Sequence, residues 1–354
     1  MKPLFLFGYL MVLLGLTSCE RWGLSGYKYN QGSFPDRPVN LGEINSADDD
    51  YNSDIPFYGE VVPLIFSSKR GNRSDFNLVS ENFNYSFDRK TGRFTLDNRP
   101  YGGLDILGEQ APVHWLPNLV NSEGNELGPY LRSYDHELIV DGWGKHYGEY
   151  LMMFAGDRTG NMDIYFTHNF QETPVAPTAG GNRAGNKLFS KVVPLPFLNS
   201  EADDAYPTFS REYDAIYFTS NRQGSFDIYR ATLPGIPVTE LHHRLPALKT
   251  ASVERVTELS SASNDKCPYI LGDLMVFTSN RPGGLGGYDL YYSRFADGKW
   301  SEPVNFGPSV NTPYDEYRPI LREPPNYKQR LLLFSSNRPG GKGGFDLYLV
   351  GVPK

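Results

Sequence analysis

Three stretches of this chain repeat one another almost residue for residue, and that repetition limits the fold more than any other feature. Ile216–Tyr229 carries Phe218-Thr219-Ser220-Asn221-Arg222 and closes on Phe226-Asp227-Ile228-Tyr229. Val276–Tyr291 carries Phe277-Thr278-Ser279-Asn280-Arg281 and closes on Tyr288-Asp289-Leu290-Tyr291. Leu333–Tyr348 carries Phe334-Ser335-Ser336-Asn337-Arg338 and closes on Phe345-Asp346-Leu347-Tyr348. Looser copies lie at Ile65–Arg70 with Asp75 and Phe76, and at Met153–Arg158 with Asp163–Tyr165. A shortened one lies at Phe94–Pro100 with Asp105 and Ile106. Each copy reads as strand, glycine-rich turn, strand: aromatic and β-branched residues flank glycines that supply positive φ angles.

A second element precedes most copies. It appears as Asn199–Pro207 and Asn311–Pro319, with related forms at Ser261–Pro268 and Asn121–Pro129 and a looser one at Asn45–Asp50. A unit of roughly 50–75 residues with about four short strands is a propeller blade. One such sheet cannot bury both faces; blades stacked around an axis cover each other and leave only short edges. The expected fold is therefore an all-β propeller of mostly four-stranded antiparallel sheets. Five units carry both elements, and the segment 83–108 carries only the strand–turn–strand copy. Five and six blades are both open on this count, with six preferred. Within the fourth unit, Asp297-Gly298 should make a tight hairpin turn.

Composition agrees. Tyr (24) and Phe (22) suit half-buried strands, and Gly (36) and Pro (27) punctuate turns. A net charge of −7 argues against a nucleic-acid partner, which needs a basic face.

Tyr206-Pro207-Thr208-Phe209-Ser210, followed by the repeat through Tyr229, resembles the TolB-type, WD-repeat-like propeller family. The resemblance extends over about residues 45–354. It implies the fold and leaves the activity open.

The repeated Asn221, Arg222 and Asp227, Asn280, Arg281 and Asp289, and Asn337, Arg338 and Asp346 read as structural. A position present in every blade does not make one active site. Each Asp can accept hydrogen bonds from turn amides or from Arg222, Arg281 or Arg338. No metal or cofactor is expected. The six histidines show no zinc spacing. Asp48, Asp50, Asn52 and Asp54 mimic a calcium loop but lack its glycine and closing glutamate, at Ser53 and Gly59. There is no nucleophile elbow, and Cys267, next to Pro268, is expected to be buried and inert.

Insertions are where propellers place binding loops. Asp135–Tyr150 interrupts the repeat and makes Trp143, His146 and Tyr147 the candidate binding surface. Gln171–Lys187, rich in Gly and Pro, reads as a surface loop.

At the N-terminus, Lys2, the apolar run Leu4–Leu16 and the small residues before Cys19 form the layout of a signal peptide over residues 1–18. Leu16-Thr17-Ser18-Cys19 resembles the lipobox of bacterial lipoproteins, which implies acylation of Cys19. Residues 19–44 would be a tether and 45–354 the propeller. Glu20 followed by Arg21 is a weak match to surface-export signals, so the expected location is the outer membrane, held through the lipid, on its periplasmic face in preference to the cell surface, which stays open. The chain ends just after the last blade, and no appended domain is expected. With no catalytic motif visible, the expected function is a non-catalytic scaffold for other cell-envelope proteins, an accessory subunit of a transport, secretion or assembly complex. The alternative is a glycan- or peptide-binding or hydrolysing propeller with its site at the central channel.

Overall fold

The computed structural model describes residues 27–56, 61–71, 73–97, 112–140, 146–170 and 189–354. Within them the strands form five antiparallel sheets, the blades of one propeller. The first holds β2 (Asp50–Asp54), β3 (Val61–Ser68), β4 (Asn77–Asp88) and β5 (Arg93–Asp97). The second holds β6 (Glu126–Val140), β7 (His146–Gly156), β8 (Asp163–His168) and β9 (Val193–Pro194). The third holds β10 (Asp204–Phe209), β11 (Ala215–Gln223), β12 (Ser225–Thr232) and β13 (Ser252–Arg255). The fourth holds β14 (Asp265–Leu271), β15 (Leu274–Ser279) and β16 (Asp289–Ala296), edged by β17 (Lys299–Trp300) and β18 (Val304–Asn305). The fifth holds β19 (Glu316–Arg322), β20 (Arg330–Ser336) and β21 (Asp346–Val352), and its outer strand is β1 (Val39–Asn40). Two short helices are attached, α1 (Pro112–Val120) and α2 (Leu241–Ala247).

The ring has five blades, not six. The copy at Phe94 is no separate blade: Phe94 to Asp97 belong to β5, the outer strand of the first sheet, with Phe87 facing Phe94. Its remaining residues, Asp105 and Ile106 included, lie outside the described residues. Val39 and Asn40, expected in the tether, instead pair with Leu349 and Tyr348. Phe34 stacks on Tyr327 at 4.2 Å, so the N-terminal segment supplies the edge that the last blade lacks. Closing the sheet this way removes an open strand edge and ties the first residues to the last.

The repeated polar residues explain why the units look alike. Arg70, Arg158, Arg222, Arg281 and Arg338 each pair with the acid that opens the inner strand of their own blade: Asp50, Glu126, Asp204, Asp265 and Glu316. The five acids are fully buried. Each arginine also donates to a carbonyl of the preceding crossing, at Ile44, Val120, Leu198, Leu259 and Val310. These are charge-assisted bonds in a low-dielectric setting, so they fix the turn firmly.

Of the two kinds of partner expected for Asp227, Asp289 and Asp346, the turn amides serve Asp289 and Asp346, and the motif arginines serve none of the three. Asp289 accepts the amides of Leu285 (2.6 Å) and Gly286 (3.1 Å) and the side chain of Asn305. Asp346 accepts those of Lys342 and Gly343 and the side chain of Asn40. Asp227 accepts from Ser225 and Arg255. The aspartates sit on the outer-strand side of the turn and the arginines on the inner-strand side, so the two do not meet. Asn221, Asn280 and Asn337 accept the amides of Asp203, Asn264 and Asp315. In the first blade the third strand opens at Asn77, opposite Ser68, rather than at Asp75.

A second repeated bond joins neighbouring blades. A residue at the start of each third strand, or just before it, donates its amide to the residue before the next inner strand. The pairs are Phe76 to Asn125, Met162 to Asp203, Phe226 to Asn264, Tyr288 to Asp315 and Phe345 to Asp49, all at 2.9–3.1 Å. The last of these closes the ring.

Every inner strand carries a β-bulge at the same place, seen as a register shift against the second strand. The bulged residues Asn52, Gly128, Tyr206, Cys267 and Arg318 have φ of 54°, 56°, 55°, 57° and 47°. A bulge re-aims one side chain of the strand. Here all five bulges face the axis, four with a side chain and the fifth with Gly128.

Candidate functional site: a sealed channel and an open cleft

The five bulged residues seal the central channel. Arg318 Nη2 donates to the carbonyl of Pro129 at 3.0 Å, reaching from the fifth blade to the second, which is not its neighbour. Its guanidinium lies 5.7 Å and 5.8 Å from the ring centroids of Tyr206 and Tyr269. A Cβ at Gly128 would run into the Tyr206 ring, so glycine is required where that ring crosses. Cys267 lies within the seal, inside β14 rather than ahead of it, and is free and buried. Burial pushes its thiol up to about 12, which keeps it protonated and unreactive. Burial likewise raises the phenols of Tyr51, Tyr206 and Tyr317.

The residues of the apparent calcium loop are dispersed by this arrangement. Asp48 accepts the Gly71 amide, Asp50 is held by Arg70, Asn52 faces the axis and Asp54 pairs with Arg322 at 2.9 Å. Burial raises the Asp54 carboxyl while Arg322 opposes that shift.

An open cleft lies between the third and fourth blades, with a volume of about 610 Å³. Strand register builds its floor. Tyr217 pairs with Arg230 across β11 and β12, and Arg230 pairs with Glu254 across β12 and β13, so the three side chains stand in a row. Arg230 Nη1 reaches Glu254 at 3.1 Å, and Nη2 lies 3.9 Å from Asp214. Asp214 comes from the β10–β11 turn, where Ser210 Oγ donates to it at 2.6 Å.

The opposite wall is a hairpin of the fourth blade. Asp297 and Gly298 both have positive φ, 52° and 79°, as a tight two-residue turn demands. That turn places Phe295 and Trp300 side by side, with ring centroids 5.1 Å apart. Trp300 meets Tyr217 edge to face at 5.8 Å, and its Nε1 donates to the Tyr217 hydroxyl at 3.4 Å. Trp300 and Tyr217 are buried, whereas Phe295 is 42% exposed. Glu212, Glu258 and Asp273 also line the cleft, together with Arg211, Arg255 and Lys299.

A third cluster sits on the second blade's edge. His168 on β8 lies 5.2 Å from His242 of α2, whose ring stacks on Phe170 at 4.6 Å and lies 3.9 Å from His243. Burial, with the nearby His242 and His243, lowers His168 to about 4.

The candidate surface read from the sequence is only partly placed. Trp143 lies outside the described residues, as do Cys19 and Gln171–Lys187. His146 and Tyr147 open β7, where their backbones pair with Val140 and Ile139. Most cleft residues, Arg230, Glu254 and Asp214 among them, lie outside the repeated motif. The one clue was a pair of aromatics, Phe295 and Trp300, flanking a tight turn.

No protein family and no curated protein matches the sequence. Solved structures are similar to this chain over most of its length. An endo-arabinase from Bacteroides thetaiotaomicron is 12% identical, with 91% of this chain and 98% of that one covered and a TM-score of 0.48. A thermostable family-43 glycoside hydrolase is 11% identical over 85% and 88%, with a TM-score of 0.46. An α-L-arabinofuranosidase from Lactobacillus brevis is 11% identical over 88% and 94%, with a TM-score of 0.45.

The non-catalytic protein scaffold without enzyme activity, expected from the sequence, finds no counterpart among these similar structures, whose names are those of enzymes. That expectation rested on a missing catalytic motif. A propeller site is assembled from residues of separate strands and blades, as the cleft here is, and such a site leaves no local motif to find.

Proposed function

We propose that this chain binds and hydrolyses a glycan, and that the ligand lies in the cleft between the third and fourth blades. The observation that carries this reading is the meeting, in one concave site, of an aromatic wall with several carboxylates. Sugar rings present apolar C–H faces that pack on aromatic side chains and hydroxyls that pair with carboxylates and guanidinium groups. The volume of the cleft suits a few sugar units. Asp214 and Glu254 flank Arg230, so a glycosidic bond laid over the guanidinium would lie between two carboxyls. Hydrolysis uses such a pair: one protonates the leaving oxygen, and the other attacks the anomeric carbon or activates water. The channel, expected as the alternative location, is a poorer candidate because its own side chains fill it.

The test uses a panel of plant and microbial polysaccharides, with binding read by calorimetry and hydrolysis by release of reducing ends. Phe295→Ala should weaken binding about tenfold without lowering the melting temperature, since the ring is partly exposed. Glu254→Gln and Asp214→Asn should lower hydrolysis by at least a hundredfold while binding persists. Binding unaffected by Phe295→Ala, with hydrolysis unaffected by the other two substitutions, would exclude this cleft.

The N-terminal reading is part of the same proposal. Residues 1–18 act as a lipoprotein signal peptide, Cys19 is acylated, and the TolB-like propeller is held at the periplasmic face of the outer membrane. The apolar run before Leu16-Thr17-Ser18-Cys19 supports it. Cys19→Ser should move the protein from the membrane to the soluble fraction; an unchanged membrane fraction would refute the anchor.

A further inference from the structure

The tier that seals the channel carries an unbalanced charge. Arg318 is wholly buried, and its Nε and Nη1 have no hydrogen-bond partner among the described residues. Asn52, at the same bulge position of the adjoining blade, is wholly buried and faces the Tyr206 hydroxyl without a close hydrogen bond. Four residues further along the inner strand that carries Arg318, Arg322 pairs with Asp54 at 2.9 Å, and the same carboxylate also acts on Arg318. Two guanidinium groups therefore share one carboxylate. Tyr206 and Cys267, the other groups that face Arg318, are neutral acids whose burial disfavours ionisation. The ring faces of Tyr206 and Tyr269 and the Pro129 carbonyl offset part of the charge and supply no counter-ion. A buried charge left without a partner is strongly destabilising, and buried N–H groups are almost always bonded.

We propose that the channel core binds a single monatomic anion of the halide class, held by Arg318 Nε and Nη1 and by the Asn52 amide. The surroundings select the size. Tyr206 crosses the axis over Gly128, and Tyr130 and Tyr269 lie buried beside it, so a phosphate or carboxylate has no room. A small ion can be admitted by a side-chain shift of the Asn52 amide and the Arg318 guanidinium. Its place is structural: it binds residues of the first and fifth blades, where the ring is closed, and it is independent of the cleft.

The whole protein, purified and crystallised with bromide in place of chloride, provides the test. Anomalous scattering at the bromine edge should show one peak within hydrogen-bond distance of Arg318 and Asn52. Only a water there, or bromide confined to the surface as an adventitious ion only, would overturn the proposal. In solution the melting temperature should rise by about 2–4 °C per tenfold increase in bromide, at ionic strength held constant with gluconate. Arg318→Met should abolish that dependence. If the variant does not fold, the wild-type anomalous map decides alone; if it folds and keeps the halide dependence, the site is elsewhere and the proposal fails.

Discussion

Replacing Asp265 by alanine isolates one of the five clamps. Its carboxylate accepts from Arg281 Nη2 at 2.6 Å, from the Ser261 amide at 2.6 Å and from Ser261 Oγ at 2.8 Å. The Asp265 side chain is wholly buried and that of Arg281 is 16% exposed. The substitution leaves a mostly buried guanidinium with only Ser279 Oγ and the Leu259 carbonyl as partners. Breaking a buried pair costs about 3–5 kcal/mol, and partial access of water to Arg281 lowers this to about 2–4 kcal/mol. In a domain of this size each kcal/mol moves the melting temperature by about 2 °C, so a fall of about 4–8 °C is expected. Differential scanning calorimetry would read it. The double variant Asp265→Leu with Arg281→Met should lose at least about 1.5 kcal/mol less than the sum of the single variants, because neither charge is then stranded. Additive losses, or a fall below 1 °C for Asp265→Ala, would refute the clamp. Glycan affinity should stay unchanged throughout, since none of these residues lines the cleft.

Two further outcomes follow from the geometry. Deleting residues 27–41 removes β1 and the buried Phe34 and Leu41. It should cost about 3–6 kcal/mol of burial and lower the urea midpoint; an unchanged midpoint would show that the fifth blade does not need its N-terminal strand. His168 ties stability to acidity. Its folded value of about 4 lies below the ordinary 6.5, so between those values the unfolded chain takes up a proton that the folded ring refuses. Stability should be unaffected above about pH 6.5, fall by at most about 1.4 kcal/mol per unit as pH drops toward 4, and level off below. Urea titrations across this range should show the slope in the wild type and a shallower one in His168→Gln; equal slopes would remove His168 as its source.

The blades were legible because each must satisfy the same local demands. Gly283 and Gly340 adopt positive φ in the motif turns, and Arg222, Arg281 and Arg338 recur because each inner strand needs its acid bonded. The blade count was not legible. Phe94 to Arg99 imitates the repeat, and nothing local distinguishes an outer strand from the start of a new unit. Which of its two possible partners each aspartate takes was not legible either, because Asp289 is only eight residues from Arg281 while Asp265, which holds that arginine, opens the strand before.

The sequence by itself determined a β-propeller: a repeated, short-range pattern of turn glycines and alternating aromatics specifies strands and turns wherever it occurs. Only the tertiary structure decided what the ring could do. Tyr217, Arg230 and Trp300 form one cleft because register sets two of them side by side and blade stacking brings the third across. Arg318 and Asn52 belong to one tier although 266 positions separate them, because a bulge in each inner strand aims at a common axis. Contacts of that kind depend on closure of the ring, which each repeat supports without encoding which residues will meet.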